Sequence, residues 1–332
     1  MKRLAEHALL AAQGVWLTLL WLAYARPFQW PMSGMLAGLV DGSAPRPFVY
    51  RALAPLLVRS LIAVPGVGIQ PATVLVVALS FIGWLWALRW LADLVLPAEL
   101  PMLATVAAAG PVGLLFVAGG YVYDPLTLAL FTLSLALIAS GRHWRLYAVV
   151  YMLMCFCRET AILLPLVCLA RAGRRGWPAA VYQAEVWALV RLMLAAAVYG
   201  GNPGANFETH WAEHLQWLWN YPLPNVLALA VYGGALAVAV WRWQTQPPFM
   251  RAAAVVVPAI FAAYWLVGYP GEIRVCLEAY PVLCLLTWHG VYMRGVLPTA
   301  AAIARLRERR RQPSSDKARP PAASPEPASV PG

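Results

Sequence analysis

The chain has 332 residues, of which 61% are hydrophobic and 12% charged, and its mean hydropathy is +0.64. This composition is typical of a polytopic membrane protein. The net charge of +11 comes almost entirely from arginine, and in such a protein it indicates basic cytoplasmic loops rather than a nucleic-acid partner. The sequence contains no nucleotide-binding loop, no Ser/His/Asp arrangement and no zinc motif. Its five cysteines lie in or beside apolar segments and are interpreted as packing residues.

The apolar segments, taken in chain order, predict an all-α polytopic integral membrane helical bundle of about ten spans. The predicted spans cover about residues 8–25, 69–95, 101–119, 124–140, 145–157, 159–171, 177–199, 225–242, 251–268 and 275–293. Lys2 and Arg3 place the N-terminus in the cytoplasm, and the many later spans favour an uncleaved first helix over a signal peptide. Residues 26–68 are predicted as a long outer loop in which Met32–Val40 and Arg51–Val64 form amphipathic helices.

The most unusual segment is 151–170, a nearly continuous apolar run with Arg158 and Glu159 at its centre. A charged residue at the centre of a span costs roughly 2.5–3.5 kcal/mol on insertion scales. We therefore predict two short helices, 145–157 and 159–171, that form a hairpin. Each would be about 20 Å long, which is less than the roughly 30 Å hydrocarbon core. The tip at Arg158, Glu159 and Thr160 would then lie below the membrane surface, in a protein-lined or watery cavity.

The distribution of positive charge supports this topology. With the hairpin as two spans, most of the 25 lysines and arginines lie on the cytoplasmic side. If 145–171 formed one span, or if 51–68 formed an additional span, several arginine clusters would lie on the outer side of the membrane. Both alternatives would break the pattern of basic cytoplasmic loops. The bundle is thus predicted over residues 1–295 with both termini cytoplasmic. Residues 296–332 are predicted as a basic and then Pro-, Ala- and Ser-rich disordered cytoplasmic tail, because they have too little apolar surface to fold.

The few charged residues on the predicted outer side are the candidates for a functional site. Arginine binds phosphate through two parallel hydrogen bonds, so Arg51, Arg158 and Arg274 suit a phosphate or pyrophosphate group. A carboxylate beside them could act as a general base, hold a divalent cation or orient an arginine. The candidate acids are Asp41, Asp124, Glu159 and Glu272.

These residues also have structural interpretations, which stay open. Asp124 could serve only as a helix cap and Asp41 only as a turn residue. Arg158 with Glu159, and Glu272 with Arg274, could form simple ion pairs. A further set of candidates consists of Glu208, His210, Glu213 and His214, which lie on consecutive helical turns and are therefore compatible with metal ligation. Because they lie in a solvated outer loop, we predict that they form solvated surface.

Several short motifs resemble the glycosyltransferase-C superfamily of membrane transferases that use polyprenyl-phosphate-linked sugars. These are YVYDP at the turn between the third and fourth spans, CRETAILLPL at the hairpin tip, FVYRALAPLL in the first outer loop, and GEIR followed by LEAYPVLCLL. The similarity covers about residues 8–295 in layout. The resemblance implies that Asp41 is the catalytic base. It also implies that Asp124 is a second acid that helps to bind a divalent cation (Mg²⁺ or Mn²⁺) or the acceptor.

The function expected from this resemblance is an inverting transfer of a sugar from a polyprenyl-phosphate carrier to an envelope glycan, lipid or protein. Asp41, Asp124 and Glu159 are the candidate catalytic acids, and Arg51, Arg158, Arg274 and Glu272 form the candidate phosphate-binding set. The expected location is the periplasmic face of a bacterial inner membrane. Two alternatives remain: a transporter or flippase of a lipid-linked or small envelope precursor, and a non-catalytic scaffold for envelope assembly.

Overall fold

A computed structural model of the chain describes residues 2–25, 32–116, 120–205, 209–220, 233–241, 243–269 and 273–294. These residues are α-helical or lie in short 3₁₀ turns and loops, and none of the described residues forms a β-strand. The chain divides into two units, Met1–Gly290 and Val291–Gly332. Only residues 291–294 of the second unit are described, so the predicted tail at 296–332 lies outside the described residues.

The helices of the first half are α1 (Lys2–Ala25), α2 (Met32–Asp41), α3 (Leu53–Ile62), α4 (Ile69–Val95), α5 (Pro101–Leu115), α6 (Tyr123–Ser140) and α7 (Trp144–Cys157). Those of the second half are α8 (Leu163–Ala172), α9 (Trp177–Leu192), α10 (Trp211–Asn220), α11 (233–240), α12 (Pro248–Ala253), α13 (Val256–Val267) and α14 (beginning at residue 280). A short 3₁₀ helix at Glu159–Ile162 precedes α8, a π-helical turn at Met193–Val198 extends α9, and a 3₁₀ segment at Ile273–Ala279 precedes α14.

Within the described ranges, five helical segments are long and apolar enough to cross a membrane. They are Arg3–Tyr24, Ile69–Val95, Tyr123–Ser140, Glu159–Val198 and Pro248–Val267. The protein is therefore an all-α, multi-pass membrane protein. Shorter apolar helices, including Leu53–Ile62, Pro101–Leu115 and Trp144–Cys157, lie between them along the chain.

Helix bounds agree closely with the sequence pattern where the pattern was strongest. The predicted span at 69–95 coincides with α4, and the first outer loop contains the two predicted short helices as α2 and α3. α6 ends at Ser140 and is capped by Gly141, whose φ of 66° lies in the left-handed region and whose N–H donates a hydrogen bond to the carbonyl of Leu137. The predicted span at 225–242 is described only from residue 233 onward.

The core of the bundle is built by α1, α4, α5 and α6. Large side chains on α1, α4 and α6 are fully buried, namely Trp21, Phe81, Trp84 and Phe131. α1 and α4 approach closely at Gly14, where a Cβ atom would lie 3.0 Å from the backbone nitrogen of Ile82. Small residues at such positions let membrane helices pack backbone to backbone. α6 packs against α4 in this core and carries one side of the candidate site.

The predicted break in the 145–171 segment is confirmed. α7 ends at Cys157, Arg158 is extended with φ −159° and ψ 155°, and the chain re-enters helix through Glu159–Ile162. Far from the break, Tyr147 Oη of α7 lies 3.7 Å from Cys168 Sγ of α8, so the two helices run back along each other. The sequence therefore places a charged pair at a turn between two short helices rather than in the middle of one span.

Candidate functional site

Arg158, at the helix break, is paired with two buried carboxylates. Its Nη1 lies 3.5 Å from Asp124 Oδ1 and 3.4 Å from Glu278 Oε1, and all three side chains are at most 3% exposed. Thr160 Oγ1 also donates a hydrogen bond to Glu278 Oε1. Burying three charges costs solvation energy that only close pairing offsets, so these side chains are tightly interdependent. They link α6, the break and the 3₁₀ segment before α14.

Glu159, the next residue, pairs with two other arginines. Its Oε2 lies 3.3 Å from Arg51 Nε, and its Oε1 lies 3.6 Å from Arg191 Nη1. The Glu159 side chain is 37% exposed, far more than the carboxylates around Arg158. The two neighbouring residues therefore serve two separate ion-pair networks, and the simple Arg158–Glu159 ion pair considered from the sequence is replaced by pairs with distant residues.

The local backbone holds these charges in place. Asp124 lies in the first turn of α6 and not at its N-cap, which is Val122, and its Oδ2 accepts a hydrogen bond of 2.8 Å from the N–H of Tyr121 in the preceding turn. Trp187 Nε1 donates to the Glu159 carbonyl at 2.9 Å. Arg191 Nη1 and Nη2 donate to the carbonyls of Tyr50 and Cys155 at 3.1 and 2.7 Å. Asp124 thus connects the turn before α6 with the charged network.

Arg51 is fixed by aromatic side chains. Its Nη1 donates a hydrogen bond to Tyr123 Oη, and its guanidinium carbon lies 4.9 Å from the centre of the Tyr123 ring and 5.6 Å from that of Phe48. Tyr121 stacks on Tyr123 with ring centres 5.1 Å apart. Cation–π contacts of this kind restrict a guanidinium group without neutralising it. The YVYDP motif therefore supplies both the acid and the aromatic wall of the site.

A cavity of about 470 Å³ opens beside the two networks. Its polar wall includes Arg51, Asp124, Arg158, Glu159 and Arg191. Its apolar wall comes from the start of α8, the π-helical turn after α9, and α13, and includes Ile162, Leu163, Ala195, Ile260 and Val267. A cavity of this size that combines an apolar wall with a few converging polar groups has the usual form of a small-molecule site.

Two histidines attach α10 to the end of α13 next to this cavity. His210, which lines the cavity, stacks on Tyr269 with ring centres 3.9 Å apart. His214 Nε2 lies 2.8 Å from the Gly268 carbonyl and 3.1 Å from that of Tyr264. Both histidines are buried, so their predicted place on a solvated surface is wrong. The helix turns these residues inward, while Glu213 remains exposed.

The structure brings together only part of the predicted set. Arg51, Asp124, Arg158 and Glu159 meet at the cavity, as described above. Asp41 lies elsewhere: it ends α2, is exposed, and its Oδ1 accepts a 2.8 Å hydrogen bond from the Ser43 N–H. Hydrogen bonds from the Ser43 side chain and backbone hold the pKa of Asp41 below its usual value. Asp41 therefore has the turn geometry that the sequence allowed, and its proposed catalytic role stays a prediction.

Two predicted residues cannot be assigned a place in the site. Glu272 and the side chain of Arg274 lie outside the described residues, although the backbone of Arg274 belongs to a 3₁₀ segment. Their predicted contribution to phosphate binding stays a prediction.

Arg191 and Glu278 are functional candidates that were not selected from the sequence. Arg191 lies within the predicted span at 177–199, and its side chain contacts Glu159 and the backbone of α7. One signal does exist: Gln183, Trp187 and Arg191 recur every four residues on an apolar helix, which places them on one face. All three make hydrogen bonds toward α7 or the break.

The described residues do not fit a bound divalent cation at Asp124. No group of three or more His, Cys, Asp or Glu side chains in the described part of the chain is arranged to hold a metal ion. The two acids closest to such a position, Asp124 and Glu278, are bridged by the guanidinium of Arg158. A metal ion bound by Asp124 and Glu278 would therefore lie next to the positively charged Arg158, which would repel it.

Comparison with known proteins gives no assignment: no family model matches the chain, and neither does any curated protein or solved structure.

Proposed function

We propose that this protein is a membrane glycosyltransferase that moves a sugar from a polyprenyl-phosphate carrier to an envelope acceptor with inversion at the sugar carbon. The observation that carries the proposal is the cavity, which joins arginine side chains on one wall to a continuous apolar surface on the other. A prenyl-phosphate sugar has the same division, with an anionic headgroup attached to a hydrocarbon chain.

The headgroup would bind at the break between α7 and α8. Arg51 and Arg191 both line the cavity and are 17% and 12% exposed, so a phosphate oxygen could approach them. Guanidinium groups suit phosphate because their donors match its oxygens in pairs. Their positive charge would also stabilise the phosphate as it leaves the sugar.

The first prenyl units would lie against α8 and α13. Leu163, Ile260 and Val267 provide an apolar wall, and both helices belong to segments long enough to span a membrane. A substrate that diffuses in the bilayer could therefore enter from the lipid without exposing its hydrocarbon chain to water. The cavity volume of about 470 Å³ suits a sugar phosphate with a short part of that chain.

The chemistry requires one base. The acceptor hydroxyl loses its proton to a carboxylate, its oxygen forms a bond to the sugar C1, and the C1–O bond breaks with its electron pair passing to the lipid phosphate. Asp124 and Glu159 are the predicted catalytic acids that line the cavity. Glu159 is the more exposed of the two, and Asp124 pairs with the buried Arg158. The resemblance favours Asp41 as the base, so all three acids are included in the test.

The finer topology is also a proposal. We propose about ten spans, with both termini in the cytoplasm and the Arg158–Glu159 break on the outer side of a bacterial inner membrane. The support is the charge distribution of the sequence, together with the short lengths of α7 and α8, which end at a paired and partly buried set of charges. Under this topology the cavity receives substrate on the periplasmic side.

The test measures polyprenyl-phosphate sugars and envelope glycans by mass spectrometry. A strain that lacks the protein is compared with strains restored by wild type, Asp41→Asn, Asp124→Asn or Glu159→Gln. Glu185→Gln is the matched control, because Glu185 is an exposed acid on α9 that does not line the cavity. We expect a lipid-linked sugar to accumulate in the null strain, and wild type and Glu185→Gln to clear it.

The acid whose variant fails to clear the pool carries the chemistry. If all three acid variants restore the wild-type product, the transferase proposal is wrong. If the null strain changes neither the lipid-linked pool nor the envelope glycans, the proposal also fails and a transporter or scaffold becomes the better explanation.

A further inference from the structure

The helix α10 has three faces of different chemistry, and each face runs along its whole length. Residues three or four positions apart share a face, because successive residues of an α-helix are rotated by about 100°. The apolar face has Trp211, Leu215 and Trp219, the polar face has Glu213, Gln216 and Asn220, and the third face has His214, Trp217 and Leu218. The centres of the three faces are roughly 105–135° apart around the helix axis. The helix therefore presents different side chains in three directions.

The third face attaches α10 to the end of α13. His214 is buried, and its Nε2 lies 2.8 Å from the Gly268 carbonyl. The backbone N–H of His210, just before α10, donates a hydrogen bond of 2.9 Å to the Leu266 carbonyl. α13 is the end of Pro248–Val267, a segment that is long and apolar enough to cross a membrane. α10 is therefore fixed at the level where a membrane-spanning segment ends.

The other two faces of α10 are both exposed. Trp211, Leu215 and Trp219 on the apolar face are 53%, 52% and 86% exposed. The residues of the polar face are also exposed. A helix that crossed the membrane surface would change from apolar to polar along its axis. In α10 the apolar and polar faces instead run side by side over about 12 Å, so its axis lies parallel to the surface.

We propose that α10 lies in the plane of the membrane interface and binds lipid through the face formed by Trp211, Leu215 and Trp219. Amphipathic helices of this kind bury their apolar face at the boundary between headgroups and acyl chains, and tryptophan is enriched at that depth. The face has three side chains, whereas a stable protein interface uses about 20–30 residues on each side, so lipid fits it better than a second copy of the chain.

This placement has a consequence for the cavity. His210 lines the cavity and directly precedes Trp211, the first residue of the lipid-binding face. The edge of the cavity at His210 therefore lies at the depth of the lipid headgroups. The inference does not depend on the proposed transferase activity, because it rests only on the position and the faces of α10.

The test uses nitroxide spin labels on the purified full-length protein in lipid vesicles. Labels are attached at Leu215→Cys on the apolar face and at Glu213→Cys on the polar face. The two positions are matched, because Leu215 is 52% exposed and the Glu213 side chain 54%. Glu213 Oε1 also lies 3.7 Å from His210 Nδ1, so Gln216→Cys provides a second polar position. The wild-type chain, whose five cysteines are buried or half-buried, gives the background labelling.

The measurement compares collisions of each label with oxygen, which concentrates in the bilayer, and with a nickel chelate, which stays in water. The ratio of oxygen to nickel collisions should be at least about fivefold higher at position 215 than at 213 or 216. If nickel reaches position 215 as readily as the polar positions, α10 lies in water and the proposal is wrong.

Two other results would also overturn the proposal. If neither reagent reaches position 215, protein covers the apolar face, either from another segment or from a second copy of the chain. If oxygen collisions dominate equally at all three positions, α10 is immersed in the bilayer rather than placed at its interface. All three positions are exposed, so the labelled variants should fold. The mass-spectrometric test of the transferase is separate, and either proposal can fail without the other.

Discussion

Replacing Arg158 with methionine should destabilise the fold strongly. The substitution removes the guanidinium that pairs with the buried carboxylates of Asp124 and Glu278, which are 1% and 0% exposed. At an effective dielectric constant of about 20, one pair of charges at 3.4 Å interacts by about 5 kcal/mol. Removing one partner of a buried pair typically costs roughly 3–5 kcal/mol, because the remaining charge stays buried. We expect Arg158→Met to lower the free energy of unfolding by that amount.

The assay is a denaturant titration of the purified protein in mild detergent. A compensated variant, in which Arg158→Met is combined with Asp124→Asn and Glu278→Gln, should recover most of the loss because no buried charge remains. Arg89→Met is the control, since Arg89 pairs with Asp93 one helical turn away on the more exposed part of α4 and should cost about 1 kcal/mol or less. A loss below about 1 kcal/mol for Arg158→Met, or a compensated variant as unstable as the single one, would refute this reasoning.

Two further predictions concern helix packing and pH. Gly14→Ala should lower stability by about 1–3 kcal/mol, because the new methyl group would overlap Ile82 of α4. Gly83→Ala has no described atom within 4 Å of its new Cβ and should be nearly neutral in the same unfolding assay. The depressed pKa of Asp41, which results from its hydrogen bonds with Ser43, stabilises the fold above the ordinary aspartate pKa. Wild type should therefore exceed Asp41→Asn in stability at neutral pH, and the difference should disappear as the pH falls through the lowered pKa; a gap independent of pH would contradict this.

The sequence predicts local structure well wherever one physical effect dominates. The bounds of α4 follow from a long apolar run, and the break at Arg158 follows from the cost of placing charges within a span. The predicted span at 124–140 likewise agrees with α6 to within one residue at each end. These features depend on residues that are close together along the chain.

Long-range charge pairing could not be read from the sequence in the same way. Arg191 bonds to the backbone of Tyr50, which is 141 positions away, and Glu278 reaches Thr160 across 118 positions. Nothing in local periodicity selects these partners among the other charged residues on the predicted outer side. The resemblance implied a catalytic role for Asp41 from its position in the first loop, whereas its carboxylate is exposed and accepts a hydrogen bond from the adjacent turn.

The contacts of His214 determine which of its ring nitrogens is available. Carbonyl oxygens only accept hydrogen bonds, so the Nε2 that faces both Tyr264 and Gly268 must carry a proton. In the neutral ring this fixes the tautomer and leaves Nδ1 as the sole lone pair. An imidazole coordinates a metal through an unprotonated nitrogen, so an ion could reach His214 only through Nδ1. The Nε2–H of His214 therefore connects α10 to the end of α13, and this hydrogen bonding makes Nε2 unavailable to a metal ion.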